Sequence, residues 1–171
     1  MDKKEWLLPR VIGVCGKNEK LLEEGNDETI WCYFDCGHVL FGLALYGCAT
    51  QSSKPMTAKE LVAQARKTVS EVSVSTAKEA LDRGGYLFLD SREPREYKMG
   101  HIPGAINIPR GLIEFKVTKK IPDKNTKILV YCKFGGRGCL TACTLCRMGY
   151  RHVANIAGGW MAWEKAGYPV E

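Results

Sequence analysis

A cysteine followed by a short, basic, glycine-rich stretch is the part of the sequence that points most clearly to chemistry. Cys132 stands between an apolar run, 127–131, that predicts a strand and a segment, 139–148, that predicts a helix. Glycines let backbone N–H groups turn toward one point, and a helix N-terminus adds positive charge, so both favour thiolate over thiol. Lys133 and Arg137 add two full charges. The sequence therefore predicts a nucleophilic sulfur that meets an anionic substrate.

An alternative interpretation of Cys132 is a small apolar residue that closes a buried strand, since free cysteine is among the most buried residue types. The residues that follow it disfavour this interpretation. Lysine, phenylalanine, two glycines and arginine form a polar, flexible stretch that has little reason to pack. We therefore interpret Cys132 as a reactive thiol.

Charge is distributed unevenly along the chain. The 171 residues carry a formal net charge of +6. Residues 1–50 hold 5 Lys/Arg against 8 Asp/Glu, a net −3, whereas residues 51–171 hold 20 against 11, a net +9. The basic part contains Cys132, which suits small anions better than cationic or apolar substrates. Because no basic run is interleaved with stacking aromatic residues, we expect no nucleic-acid partner.

Residues 1–56 form an N-terminal extension to which we assign no fold. Residues 39–47 are apolar but too few to cross a bilayer as a helix. They are followed by Cys48 and a polar tether, an arrangement that resembles a bacterial lipoprotein signal ending near Cys48. We therefore expect a lipid anchor on Cys48 and a periplasmic or membrane-tethered location. The alternative is a buried segment in a cytoplasmic protein.

Residues 57–71 predict a lead-in helix. Thr57 is a suitable N-cap, and Glu60 stands three residues later, where it completes a capping box. The apolar residues at helical spacing, which we expect to pack against the core, are Leu61, Val62, Ala65 and Val69.

Residues 72–171 alternate short apolar runs with helical segments. The five predicted strands lie near 72–74, 86–89, 105–108, 127–131 and 152–156. This alternation predicts an α/β domain with a central, mainly parallel five-stranded sheet and helices on both faces. Ligands of such sheets bind at the carboxyl ends of the strands, and both Asp90 and Cys132 follow strands there.

Three segments of this domain resemble the rhodanese-like single-domain sulfurtransferase family. Residues 89–109 (LDSREPREYKMGHIPGAINIP) resemble the first signature of the family, and residues 155–170 (NIAGGWMAWEKAGYPV) resemble its C-terminal signature. Cys132 begins the segment where the family keeps its active loop. Ser91 stands where the family usually has an aliphatic residue, and Gly138 where serine is frequent.

The resemblance implies a sulfurtransferase that moves a sulfane sulfur from thiosulfate or polysulfide to a thiophilic acceptor through a persulfide on Cys132. Its implied partners are a small anionic sulfur donor and a thiol or cyanide acceptor, without a cofactor or a metal. Asp90 and Arg92 are implied supporting residues that fix the neighbouring loop at the strand end through an ion pair or hydrogen bonds. The alternative is a structural salt bridge without a role in the chemistry. The implied substrate- and persulfide-binding loop comprises Lys133, Phe134, Gly135, Gly136, Arg137 and Gly138.

Three other functions are less compatible with the residues. A protein phosphatase of the related type needs C-x5-R to enclose a tetrahedral phosphate, whereas only four residues separate Cys132 from Arg137. An iron–sulfur enzyme would use the C-x3-C-x2-C pattern at 139–146, but these cysteines fall on a predicted helix rather than on a loop that can wrap a cluster. A non-catalytic rhodanese-fold module for sulfide sensing or docking remains the alternative, and the cysteine in the loop favours chemistry over it.

The cysteines of the predicted helix have one candidate role. Cys139, Cys143 and Cys146 share a helix face that we expect to lie away from Ala142 and Leu145. Cys139 is a candidate resolving thiol, which would release hydrogen sulfide from the Cys132 persulfide and leave a disulfide. The favoured interpretation of the three cysteines is partly buried thiols without a chemical role. The sequence does not predict the oligomeric state.

Overall fold

A single parallel sheet organises the chain in the computed structural model, which describes residues 55–171. The strands are β1 (Ser70–Val72), β2 (Leu87–Asp90), β3 (Ile106–Asn107), β4 (Lys127–Tyr131) and β5 (His152–Ile156). Their order in the sheet is β1-β5-β4-β2-β3, and every neighbouring pair is parallel. The predicted five-stranded parallel sheet is therefore confirmed, and the prediction at Cys48 falls outside the described residues.

Six α-helices connect or flank the strands in residues 55–171. They are α1 (Ala58–Thr68), α2 (Val74–Arg83), α3 (Pro94–Lys98), α4 (Ile113–Lys120), α5 (Gly136–Arg147) and α6 (Gly159–Lys165). A short 3₁₀ helix, Arg110–Leu112, precedes α4. None of the helices in this part of the chain is long and apolar enough to cross a membrane.

Successive side chains of a strand face opposite sides of the sheet, so the core forms two layers. Ile128 and Val130 of β4 contribute to one cluster of buried side chains, together with residues of α1, α4 and α5. Leu129 and Tyr131 contribute to the opposite cluster, which includes residues of α2 and α6. Both faces of the sheet are covered, as expected for a parallel sheet.

The lead-in helix α1 forms but ends at Thr68, so the prediction of helix through residue 71 is wrong, because Ser70 and Glu71 belong to β1. The helix also packs with less of its surface than predicted. The Thr57 side chain accepts the N–H of Glu60 at 3.3 Å, and the Glu60 carboxylate accepts the N–H of Thr57 at 2.7 Å, so the capping box is present. Ala65 and Val69 are buried, whereas Leu61 is 44% exposed. The prediction that Leu61 faces the core is wrong, because only the C-terminal half of α1 packs against the core.

Candidate active site

The thiol of Cys132 lies at the carboxyl end of β4, in the centre of the sheet. Its side chain is buried, with 2% exposed. The backbone N–H of Gly135 donates a hydrogen bond to its Sγ at 3.2 Å. Gly135 has a left-handed φ of +92° and is the N-cap of α5, so the turn that aims this N–H at the sulfur needs glycine.

Helix α5 begins at Gly136, three residues earlier than the sequence predicts. Gly136, Arg137 and Gly138 therefore form the first turn of the helix, and the loop proper is only 132–135. A Cβ on Gly138 would overlap Oδ1 of Asn155 and lie 3.3 Å from the backbone nitrogen of Cys132, so glycine permits a close approach here. The first N–H groups of a helix have no intrahelical acceptor, which leaves these amides directed toward the sulfur end of the sheet.

Arg137 forms an ion pair with Glu96 beside the site. Its guanidinium donates to the carboxylate of Glu96 in α3 at 3.1 and 3.2 Å. Hydrogen bonds to Glu96 raise the pKa of Arg137 above its ordinary value, and a smaller contribution comes from Cys132. Sequence reasoning missed Glu96, because nothing local to 94–98 shows that α3 lies against the active loop.

Lys133 and Phe134 form the outer rim of the loop. Both are exposed, Phe134 at 67%, and the Lys133 ammonium lies 5.4 Å from the centre of the Phe134 ring. A cleft of about 280 Å³ lies beside the loop, lined by Arg92, Glu96, Met99, Gly100, Lys133, Trp160, Met161 and Glu164. The rim can therefore admit a ligand next to the loop, with both positive and negative side chains at its edge.

Asp90 and Arg92 form a buried ion pair at the end of β2. Asp90 is paired in register with Tyr131, so it lies at the same edge of the sheet as Cys132. The Arg92 guanidinium donates to Asp90 at 2.7 and 2.9 Å and lies 4.4 Å from the ring centre of Trp160. Its side chain is 3% exposed. The ion pair expected from the sequence is present, and its supporting role in chemistry remains a prediction.

Ser91, which stands where the family usually has an aliphatic residue, also contacts the end of β4. Ser91 is fully buried, and its hydroxyl donates to the carbonyl oxygen of Tyr131 at 2.9 Å. The backbone N–H of Ser91 donates to the same oxygen at 2.9 Å. A serine therefore holds the residue immediately before Cys132 where an aliphatic side chain could not donate a hydrogen bond.

The first turn of α6 forms the other wall of the loop. The N–H of Trp160 donates to the carbonyl of Cys132 at 2.7 Å, and the N–H of Met161 donates to the carbonyl of Lys133 at 3.1 Å. A Cβ on Gly159 would overlap the Cys132 carbonyl oxygen. The glycine pair before Trp160 indicates a close backbone contact at this point of the sequence. It does not indicate that the contacting backbone is that of Cys132.

The structure argues against Cys139 as a resolving thiol. Cys139 is fully buried in the same cluster as Ala142 and Leu145, and burial raises the pKa of its thiol to about 11. Cys143 also packs against this cluster, and its Sγ lies 3.9 Å from Oγ1 of Thr68 in α1. The prediction that the cysteine face lies away from the core is wrong, because α1 covers that face of α5.

Metal ligands are not assembled in the described part of the chain. Residues 55–171 contain no group of three or more His, Cys, Asp or Glu side chains that could hold a metal ion.

A family model for the rhodanese-like domain matches residues 73–166. The chain belongs to the rhodanese-like sulfurtransferase family. The match includes Cys132, the Asp90–Arg92 pair and the glycine pair before Trp160, but it excludes α1 and β1.

Curated relatives of this rhodanese-like protein carry sulfurtransferase names. It is 33% identical over 120 residues to thiosulfate sulfurtransferase 16, chloroplastic, of Arabidopsis thaliana, covering 64% of this chain and 99% of the relative. It is 34% identical over 103 residues to a sulfurtransferase of Allochromatium vinosum, covering 60% of this chain and 94% of the relative.

Among solved structures, a Rhodopseudomonas palustris protein matches with a TM-score of 0.60 at 29% identity. The match covers 70% of this chain and 100% of that protein, which is described as a protein of unknown function and possible tyrosine phosphatase.

Proposed function

We propose that this rhodanese-like protein transfers a sulfane sulfur from thiosulfate or polysulfide to a thiol or cyanide acceptor through a Cys132 persulfide. The observation that carries the proposal is the 3.2 Å hydrogen bond from the Gly135 N–H to Cys132 Sγ at the start of α5. This arrangement stabilises negative charge on sulfur and leaves adjacent amides for the second sulfur atom.

The reaction proceeds in two displacements. The Cys132 thiolate attacks the outer sulfur of thiosulfate, the S–S bond of the donor breaks, and sulfite leaves with the electron pair. The acceptor then attacks the outer sulfur of the persulfide and restores the Cys132 thiolate. Because the enzyme alternates between thiolate and persulfide, ping-pong kinetics are expected.

Lys133 and Arg137 have different roles in binding the donor. Lys133 is exposed at the rim and attracts the anion from solution. Arg137 is held in place by Glu96 and presents an oriented guanidinium next to the sulfur. Asp90 and Arg92 touch no reacting atom in this proposal, and they hold the wall of the adjacent cleft.

Phosphate-ester hydrolysis is the competing activity suggested by the description of the Rhodopseudomonas relative. Two features favour sulfur transfer over it. Four residues separate Cys132 from Arg137, one fewer than the phosphatase loop needs, and Glu96 already occupies Arg137. Turnover of p-nitrophenyl phosphate that depends on Cys132 would favour the phosphatase instead.

The proposal is tested by intact-mass measurement after exposure to thiosulfate or polysulfide. We expect the wild-type protein to gain one sulfur atom and the Cys132→Ser variant to gain none. Thiosulfate–cyanide turnover is measured alongside, with Tyr150→Phe as a control at the opposite end of the sheet. Equal turnover in wild type and Cys132→Ser would contradict the mechanism.

A further inference from the structure

Asn155 of β5 links the active loop to the lead-in segment through a chain of hydrogen bonds. Its side-chain Nδ2 donates to the Gly135 carbonyl at 3.2 Å and to the Glu71 carboxylate at 2.7 Å. Glu71 lies directly opposite Asn155 in the β1–β5 register. Asn155 is fully buried, so its bond to Gly135 is shielded from water, whereas the Glu71 carboxylate is partly exposed.

Gly135 is the residue whose orientation matters most for the sulfur. Its N–H donates to Cys132 Sγ, while its carbonyl accepts from Asn155 and, at 2.9 Å, from the N–H of Cys139. Glycine at φ +92° has several accessible conformations of its own. The contacts to its carbonyl therefore select the conformation in which the N–H points at the sulfur.

The oxygen of the Asn155 amide makes no hydrogen bond that would stabilise the fold. Its Oδ1 is buried without a hydrogen-bond partner, one of two such side-chain atoms in residues 55–171. It fills the space beside Gly138 that a side chain would need. An unsatisfied buried acceptor is unfavourable, so a residue placed for stability alone would have both ends satisfied.

We propose that Asn155, oriented by Glu71, is a positioning residue that directs the Gly135 N–H onto the sulfur of Cys132. The inference rests on the proposed function only in taking Cys132 as the nucleophile. Glu71 lies outside the matched domain, 73–166, and Arg66 of α1 lies 3.6 Å from its carboxylate. The lead-in segment is therefore part of the functional unit rather than a tether.

The test compares the pH profile of the Cys132 thiolate, followed by its ultraviolet absorbance, in full-length variants. The absorbance of Cys132→Ser is subtracted from that of wild type, which leaves the signal of the Cys132 thiolate. For every other variant, the same protein with Cys132→Ser added is measured and subtracted in the same way. We expect Asn155→Ala to move the Cys132 profile upward by about one pH unit, because the loss of one ordered hydrogen bond to an anion is worth about a factor of ten. The kcat for thiosulfate should fall about tenfold with KM within about twofold, since Asn155 does not contact the donor.

Glu71 supplies variants that do not depend on a buried substitution. Glu71→Ala should move the profile in the same direction by roughly half as much, and Glu71→Gln should stay near wild type, because an amide oxygen still accepts from Nδ2. Tyr150→Phe is the matched control. It removes a buried hydrogen bond of 2.6 Å to the Ile121 carbonyl and should leave the profile unchanged.

The outcomes separate the inference from the proposed function. A wild-type profile in both Asn155→Ala and Glu71→Ala would overturn the inference, whatever the sulfurtransferase activity. An equal shift in Tyr150→Phe would also overturn it, because the effect would then report general loosening. A shifted profile in a protein that takes up no sulfur would support the positioning role and contradict the proposed function.

Discussion

The guanidinium of Arg137 and the carboxylate of Glu96 form a multiply bonded ion pair beside the active loop, with N–O distances of 3.1 and 3.2 Å. Arg137 belongs to the first turn of α5 and Glu96 to α3. The pair therefore ties the helix that begins at the sulfur to the element that follows the Asp90–Arg92 loop. The cation that we propose binds the donor is therefore oriented by a fixed anion.

This pairing predicts a non-additive effect on donor binding. Arg137→Ala should raise the KM for thiosulfate about tenfold, because the site loses a cation and Glu96 becomes an unpaired anion near the donor. Arg137→Ala combined with Glu96→Gln should recover part of this loss, since the repelling charge is gone. Steady-state kinetics of the two single variants and the double variant measure the coupling.

The matched control is the exposed pair Arg83–Glu79 on α2, where both side chains are about half exposed or more. Arg83→Ala should leave the KM unchanged. A double variant with a KM at or above that of Arg137→Ala would show that Glu96 does not act through its charge.

The same pair predicts how stability depends on pH in acid. Partial burial disfavours the charged carboxylate, but hydrogen bonds from Arg137 and from the Glu93 N–H outweigh it and hold the pKa of Glu96 below 4.5. A lowered folded-state pKa gives stability that is present above about pH 4.5 and is lost as pH falls through the folded value. The contribution is at most about 1 kcal/mol, because Arg137 is 38% exposed and solvent screens the pair.

Thermal unfolding of wild type and Glu96→Gln between about pH 6 and pH 3 measures this contribution. The difference in Tm should be constant at the upper end and shrink toward zero at the lower end. A difference that persists unchanged in acid would mean that packing, not charge, distinguishes the two proteins.

The buried pair of Asp90 and Arg92 predicts a much larger effect on stability. Asp90→Asn would leave the Arg92 guanidinium buried with its charge uncompensated, at a cost of about 3–5 kcal/mol. Asp82→Asn on α2 removes the partner of Lys78 at an exposed site and should cost less than about 1 kcal/mol. Urea unfolding of both variants tests the contrast, and comparable costs would argue that Arg92 reaches water in the variant.

Local sequence signals were sufficient for the parts of the fold that depend on local pattern. The apolar run 127–131 predicts the bounds of β4, and 152–156 those of β5. Asp90 and Cys132 were expected at one edge because parallel strands end together, and the register of β2 against β4 places them there. These inferences need only periodicity and the rule for parallel sheets.

Long-range placement could not be predicted in the same way. Asn155 and Glu71 are 84 residues apart and meet because β1 pairs with the last strand, an order that periodicity does not encode. The start of α5 was missed because glycine has low helix propensity, whereas packing against Asn155 and the Cys132 backbone selects glycine at 138. Tertiary contact overrides local propensity at the site itself.

A substitution at Gly159 tests whether the Cys132 loop depends on its contact with the first turn of α6. Gly159 has a φ of +58°, and a Cβ there would overlap the Cys132 carbonyl oxygen and lie 3.0 Å from the Gly135 nitrogen. Gly159→Ala must therefore displace the backbone that holds the sulfur. We expect a loss of about 3 kcal/mol in the free energy of unfolding and a slower gain of sulfur by Cys132.

Gly149 provides the matched comparison, because it also has a left-handed φ, +88°, but has no atom within 4 Å of the Cβ position. Gly149→Ala should cost only the backbone strain of about 1–2 kcal/mol and leave sulfur uptake unchanged, since the turn lies at the other end of α5. Urea unfolding gives the two costs, and intact mass after a timed exposure to thiosulfate gives the uptake rates. Equal uptake by the two variants would mean that the Cys132 loop tolerates displacement of its backbone, and the role assigned to the first turn of α6 would then be wrong.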